Sequence, residues 1–185
     1  MKFYKTLFFI FIFLTCSVKA DLNNNLIDEL KQGGKLIFIR HAYAPGNGDP
    51  QNFNLYDCST QRNLSENGRE QSKKIGNLFL KNKIDINNVY SSEWCRCKET
   101  ALIAFDNFET KNFLNSFYSS KFKKNKKIQM KNLKEYINNW NSDKNLILIT
   151  HYVVISEALD YATSSGEIVI TDKNFNKIGN VEINF

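Results

Sequence analysis

Two short apolar runs, Leu36-Ile37-Phe38-Ile39 and Leu146-Ile147-Leu148-Ile149, set the frame of the chain. Each is too short for a core helix and shows no polar alternation, so both read as strands buried on two faces, as in a parallel sheet. Around them the period changes to that of a helix. Residues 25–32 form a short helix stopped by Gly33-Gly34. Ser65 caps a helix that puts Ile75, Leu78 and Phe79 on one face. Met130, Leu133, Ile137 and Trp140 follow a helical stripe, as do Ile155, Ala158, Leu159 and Ala162. Residues 88–91 read as a brief strand, 93–105 as a helix, and 167–171 with 178–184 as a closing β-hairpin. No repeat or linker interrupts this succession. It predicts one three-layer α/β domain, a mostly parallel sheet flanked by helices.

The first twenty residues have another pattern. Lys2 and Lys5 precede an apolar stretch over 7–14 and a small-residue exit at Val18-Lys19-Ala20. That is the pattern of a secretory leader, so 1–20 is expected to be a signal peptide and 21–185 the mature, exported domain, periplasmic or secreted. The leader is shorter than a membrane span needs, and no other segment is apolar enough for one. The whole chain carries +6, and losing the leader's three lysines would bring it to about +3. The lysines concentrated between Lys121 and Lys134 read as a solvated face and call for no nucleic-acid partner. Cys58, Cys95 and Cys97 are an odd set for an oxidising compartment, which predicts one disulfide, Cys58 with Cys95 or Cys97. A C-x-C pair with one distant cysteine lacks zinc-ligand spacing, so no metal is expected.

Chemistry enters at the ends of the two apolar runs. The first runs into Arg40-His41 and the second into Thr150-His151, which places the chain's two histidines where ligands bind in open α/β sheets, outside the carboxyl ends of the strands. The basic residues are mostly lysines, so the four arginines at 40, 62, 69 and 96 stand out. Arginine offers phosphate a rigid bidentate fork that lysine lacks. The segment 42–63, rich in turn signals and holding both prolines, is a loop of the length that usually carries function.

Four blocks in order, Arg40-His41-Ala42, Gln61-Arg62-Asn63-Leu64-Ser65-Glu66-Asn67-Gly68-Arg69, the stretch from Tyr90 through Trp94-Cys95-Arg96-Cys97 to Ala101, and Leu148-Ile149-Thr150-His151, resemble the histidine phosphatase superfamily, the phosphoglycerate mutase-like fold. The resemblance implies a phosphatase without cofactor acting on a small phosphorylated substrate. In it His41 is the nucleophile that becomes a phosphohistidine, and Arg40, Arg62, Arg96 and His151 hold the phosphoryl oxygens. Arg69, Trp94 and Glu99 read as supporting residues. The general acid is open: Glu109, Glu167, Asp49 and Asp57 are the candidates, and a phosphoamidate leaving group needs none of them. Two alternatives share the pocket, a phosphate-ligand-binding protein and a phosphomutase. With three guanidinium groups and no evident matching carboxylate, the pocket is expected to be strongly cationic.

Overall fold

The computed structural model describes residues 18–184. Most of the leader segment lies outside them; Val18–Ala20 fall at the start of helix α1 (Val18–Gln32). Six strands form one sheet: β1 (Leu36–Arg40), β2 (Ile86–Ser91), β3 (Glu109–Thr110), β4 (Asn145–Thr150), β5 (Ile168–Thr171) and β6 (Lys177–Val181), in the order β3-β2-β4-β1-β5-β6. The β1–β4, β4–β2 and β2–β3 pairs are parallel, and β5 and β6 close one edge antiparallel.

The unbroken apolar runs follow from this position. In β1, Leu36 and Phe38 face one way and Ile37 and Ile39 the other, and all four are fully buried. Leu36, Phe38, Leu146 and Leu148 pack on Met130, Leu133 and Ile137 of α4 (Lys126–Asn139) and on Val154 and Ile155 of α5 (Tyr152–Leu159). The opposite face, Ile37, Ile39, Ile147 and Ile149, packs on Leu30 of α1, on Ile75 and Phe79 of α2 (Glu66–Asn82), and on Ala101 of α3 (Cys95–Phe105). Helices on both faces are what a central parallel strand requires, and each fully buried aliphatic side chain contributes about 1.5–3 kcal/mol.

Element ends differ from the sequence reading where local signals are weak. Strand β3 was not expected: it is two residues long, exposed, and exists only as an edge extension beyond β2. Strand β2 starts two residues before the expected 88, across an irregular register between Ile86 and Asn88. Helix α3 begins at Cys95, not at 93, because Trp94 is extended and caps it. Ser65 does cap α2, its hydroxyl accepting from the Gly68 N–H at 3.2 Å. Gly68 is itself required by packing, since a Cβ there would lie 2.1 Å from the carbonyl oxygen of Tyr43.

Because β1, β2 and β4 are parallel, their carboxyl ends share one edge. Arg40 pairs with Thr150 and Ser91 with Ile149, so Arg40-His41, Ser91-Ser92 and Thr150-His151 stand side by side. The His41 N–H donates to the Thr150 carbonyl and the Ser92 N–H to the Ile149 carbonyl, both at 2.9 Å.

A disulfide, Cys58–Cys95, joins the 42–63 loop to the first residue of α3, with Cα atoms 5.7 Å apart. It decides the pairing left open by sequence and consumes two of the sulfurs a zinc site would have used. Cys97, one helical step past Arg96, is a buried free thiol. The bridge spans 37 residues, and removing that loop-closure entropy from the unfolded chain is expected to stabilise the fold by about 4 kcal/mol. Thermal melts with and without a thiol reductant measure this, and an unchanged midpoint in fully reduced protein contradicts it.

Candidate active site

A cavity of about 870 Å³ opens at the shared carboxyl edge, and its lining includes Arg40, His41, Arg62, Arg96, His151 and Asp49. The five residues singled out by sequence therefore converge, and Asp49 joins them. The two imidazoles lie with ring centroids 5.4 Å apart, nearly perpendicular. His41 and His151 are only 2 and 3 % exposed.

The tautomer of His41 is set by its surroundings. Nδ1 lies 2.8 Å from the carbonyl oxygen of Ala42, which can only accept, so Nδ1 carries the hydrogen and Nε2 keeps its lone pair. That lone pair receives the Arg96 Nε–H at 3.2 Å. Burial, followed by the charge of Arg96, pushes the pKa of His41 well below its ordinary value. His41 is thus a neutral imidazole with its nucleophilic nitrogen aimed at a guanidinium.

His151 is held by its other side. Its Nε2 lies 2.9 Å from the Ser92 hydroxyl, which gives its own hydrogen to Asn115 Oδ1 at 3.1 Å, so Nε2–H is the donor and Nδ1 is left for a ligand. Asn115 Oδ1 also accepts the Glu93 N–H at 2.9 Å, which fixes its orientation. Burial, then Arg96 and His41, hold the His151 pKa well below the usual histidine range. The Cys97 thiol, 3.5 Å from His151 Nε2, is pushed up to about 12 by burial and stays protonated.

The arginines are fixed in different ways. Arg40 Nη1 donates to the Thr163 carbonyl at 2.6 Å, and its guanidinium lies over the Tyr152 ring at 5.5 Å. Its Nε is buried without a hydrogen-bond partner. Arg62 turns back on its own loop, with Nε donating to Gly48 O at 2.9 Å and Nη1 to Ala44 O. Arg96 faces His41 with Nε and meets Asp49 with both terminal nitrogens, at 2.7 and 3.3 Å.

The family model of the histidine phosphatase superfamily (branch 1) matches residues 36–145. The chain belongs to this superfamily. Membership makes it, at that coarse level, a phosphatase. Among solved structures, the histidine phosphatase SixA complexed with tungstate is similar at TM-score 0.55 and 17 % identity, covering 81 % of this chain and 96 % of that one. A mutant phosphoserine phosphatase from Entamoeba histolytica in complex with phosphoserine has the same TM-score, identity and coverage. The Entamoeba histolytica enzyme in complex with 3-phosphoglyceric acid gives TM-score 0.55 at 16 % identity, covering 82 % and 96 %. Comparison with curated proteins gives no match.

Within this histidine phosphatase fold, three of the four acid candidates lie away from the pocket. Glu109 is on the exposed edge strand, paired with Lys111 at 2.9 Å. Asp57 is exposed and holds Ser59 at the start of a 3-10 turn. Glu167 is buried, but its oxygens are taken by the Tyr161 hydroxyl, the Ser164 N–H and Asn180. Asp49 is inside the pocket, bound to Arg96. It supplies one carboxylate, on Arg96, to a lining that stays cationic as expected. Sequence reasoning missed this pairing, and it missed Ser92, Asn115 and Thr163, whose types carry no catalytic signal. Arg69, by contrast, sits at the surface between Glu66 and Glu99 as read.

Two buried neutral histidines leave a mark on stability. In the unfolded chain an imidazole titrates near about 6.5, whereas both folded values are lower. Below about pH 6.5 the unfolded state therefore binds protons that the folded state refuses, and stability falls as pH falls through that window. Two such groups give at most about 2.7 kcal/mol per pH unit until the folded values are reached. Melting curves between pH 7 and 5 are expected to show a steady drop; a flat midpoint would mean that the histidines protonate freely in the fold.

Proposed function

We propose that the chain is an exported phosphatase, needing no metal, that removes a phosphoryl group through a phosphohistidine on His41. The observation that carries this is the held tautomer: Nδ1–H is tied to Ala42 O, and the Nε2 lone pair points at Arg96 Nε, 3.2 Å away. In the first step Nε2 bonds to phosphorus, the bond from phosphorus to the leaving group breaks, and the electron pair departs with that group. In the second, a water oxygen bonds to phosphorus, the P–Nε2 bond breaks, and inorganic phosphate leaves while a proton passes to solvent. As phosphorus approaches, the Arg96 Nε–H transfers from the His41 lone pair to a phosphoryl oxygen. The unpartnered Arg40 Nε supplies a further donor. Charge stabilisation of this kind carries most of phosphoryl transfer.

The leaving group is the finer part of the proposal. Among the described residues the pocket lining contains one carboxyl group, that of Asp49. Bound as it is to Arg96, it does not supply a proton near neutral pH. A phosphoamidate, whose nitrogen leaves already protonated, needs no such acid, and an aryl ester needs little. The similarity to SixA, a protein histidine phosphatase, agrees with this preference. Export is supported by the leader pattern and by the Cys58–Cys95 bridge, since disulfides persist in oxidising compartments.

The test is a rapid-quench experiment with a phosphoamidate, an aryl phosphate and an alkyl phosphomonoester. We expect an acid-labile, base-stable phosphoryl group on His41, and kcat/KM falling in that order of substrates. An alkyl ester turned over as fast as the phosphoamidate would sink the leaving-group assignment, and no labelled histidine under burst conditions would sink the covalent route.

A further inference from the structure

Asp49 carries the one carboxylate of the pocket lining among the described residues, and phosphoryl transfer, as argued above, has no use for it. Yet it is among the most tightly held. Its Oδ1 accepts Arg96 Nη1 at 2.7 Å and the Arg62 backbone N–H at 3.1 Å. Its Oδ2 accepts Trp94 Nε1 at 3.0 Å and Arg96 Nη2 at 3.3 Å. Trp94 is 2 % exposed and stacks on Phe53, with centroids 5.2 Å apart. Burial acts to raise the pKa of Asp49, but the hydrogen bond and charge of Arg96 outweigh it, and the carboxyl sits below its usual range.

The edges of the Arg96 guanidinium separate two possible roles. A carboxylate in a phosphate pocket can be an internal plug, lying where the substrate's oxygens belong, or a brace, holding the arginine from behind. Guanidinium offers an end edge, Nη1 with Nη2, and a side edge, Nε with Nη2. Asp49 takes the end edge, and the second Nη1 hydrogen goes to Arg62 O at 3.2 Å. The side edge remains, and it is the edge that faces His41, with Nε 3.2 Å from Nε2. A phosphoryl group arriving at Nε2 meets a complete two-donor fork that Asp49 does not occupy. The charges agree as well: with Asp49 counted against the three guanidinium groups and Lys121, the lining stays cationic, which suits an anionic phosphoryl group.

We propose that Asp49 is a positioning residue for phosphoryl transfer: by bracing the end edge of Arg96 it aims the side edge at the phosphorus bonded to His41. It also ties the 42–63 loop to the start of α3, beside the disulfide, so the loop contributes to turnover and not only to access. The inference rests on the function proposed above and adds a residue to it.

Kinetics of the full chain carrying D49N, with R96K and D49N/R96K beside it, test the inference. A misaimed arginine loses transition-state contacts more than ground-state ones. For D49N we expect kcat to fall about tenfold to a hundredfold with a smaller change in KM, and vanadate inhibition to weaken by more than inhibition by inorganic phosphate. A merely structural role would not separate those two inhibitors. Because Asp49 acts through Arg96, D49N is expected to cost little more in the R96K background. If D49N does not accumulate as folded protein, D49E, which keeps the charge but moves it, is held to the same criterion of lost kcat and weakened vanadate. Turnover at or above the parent's, tighter vanadate binding, or losses that simply add to those of R96K would each overturn the brace. H41A distinguishes the two levels: an active H41A removes the proposed function itself, while an inactive H41A beside a fully active D49N removes only this inference.

Discussion

Replacing His41 by alanine is expected to reduce hydrolysis by on the order of 10⁴-fold or more and to abolish the phosphoenzyme signal, since the Arg96 Nε–H that would receive the phosphoryl oxygen is aimed at the His41 Nε2. Cys97 is a protonated thiol enclosed in the core, and the His151 Nε2 is engaged by the Ser92 hydroxyl. Neither stands as His41 does, with its lone pair on the Arg96 Nε–H. The variant should fold. It loses one hydrogen bond to Ala42 O and one from Arg96, and it also loses a desolvated imidazole that costs stability below about pH 6.5. The pH-dependent drop in melting temperature should therefore be shallower in H41A than in the parent. Hydrolysis retained above a few per cent, in protein with parental circular dichroism, would mean that the nucleophile lies elsewhere.

The parts of the site that were legible in the sequence share one property: each is attached to the end of an element whose own pattern is unambiguous. Leu36–Ile39 and Leu146–Ile149 could hardly be anything but central strands, and once these are parallel neighbours their next residues, Arg40-His41 and Thr150-His151, must meet. Arg96 follows from the helix after β2 in the same way. Asp49 had no such anchor. It sits in a stretch whose path is fixed by tertiary contacts, Trp94 to Asp49, Gln61 to Cys95 and the Cys58–Cys95 bridge, none of which leaves a period or a local motif. The disulfide partner was undecidable for a related reason. Cys95 and Cys97 lie about 200° apart on a helix, and which one faces Cys58 depends on the phase at which that helix packs on the sheet. Glu109, Asp57 and Glu167 show the converse error: Glu109 lies in the stretch where an acid is expected and the other two outside it, and the fold uses them in an edge ion pair, a turn and a buried hydrogen-bond set.

Arg96→Lys is expected to cost far more than its unchanged charge implies. Arg96 is 3 % exposed and uses three nitrogens on four acceptors, His41 Nε2, both oxygens of Asp49, and the Arg62 carbonyl. A lysine ammonium is one point with three donors, and it cannot reach a nucleophile on one side while bracing a carboxylate on the other. Either His41 loses its partner, or Asp49 is left half-buried with an uncompensated charge that competes for the same ammonium. We expect kcat/KM to fall by about 10²–10³-fold, or roughly 2.7–4 kcal/mol, the usual cost of losing a preorganised donor at a developing charge, with vanadate inhibition weakened in parallel. Arg69→Lys is the matched control, because Arg69 makes an exposed ion pair with Glu66 and Glu99 where a point charge suffices, and its activity should stay within about twofold of the parent. Near-normal turnover in R96K would mean that charge alone binds the phosphoryl group, and the geometric argument for the fork, and with it the brace supplied by Asp49, would fail together.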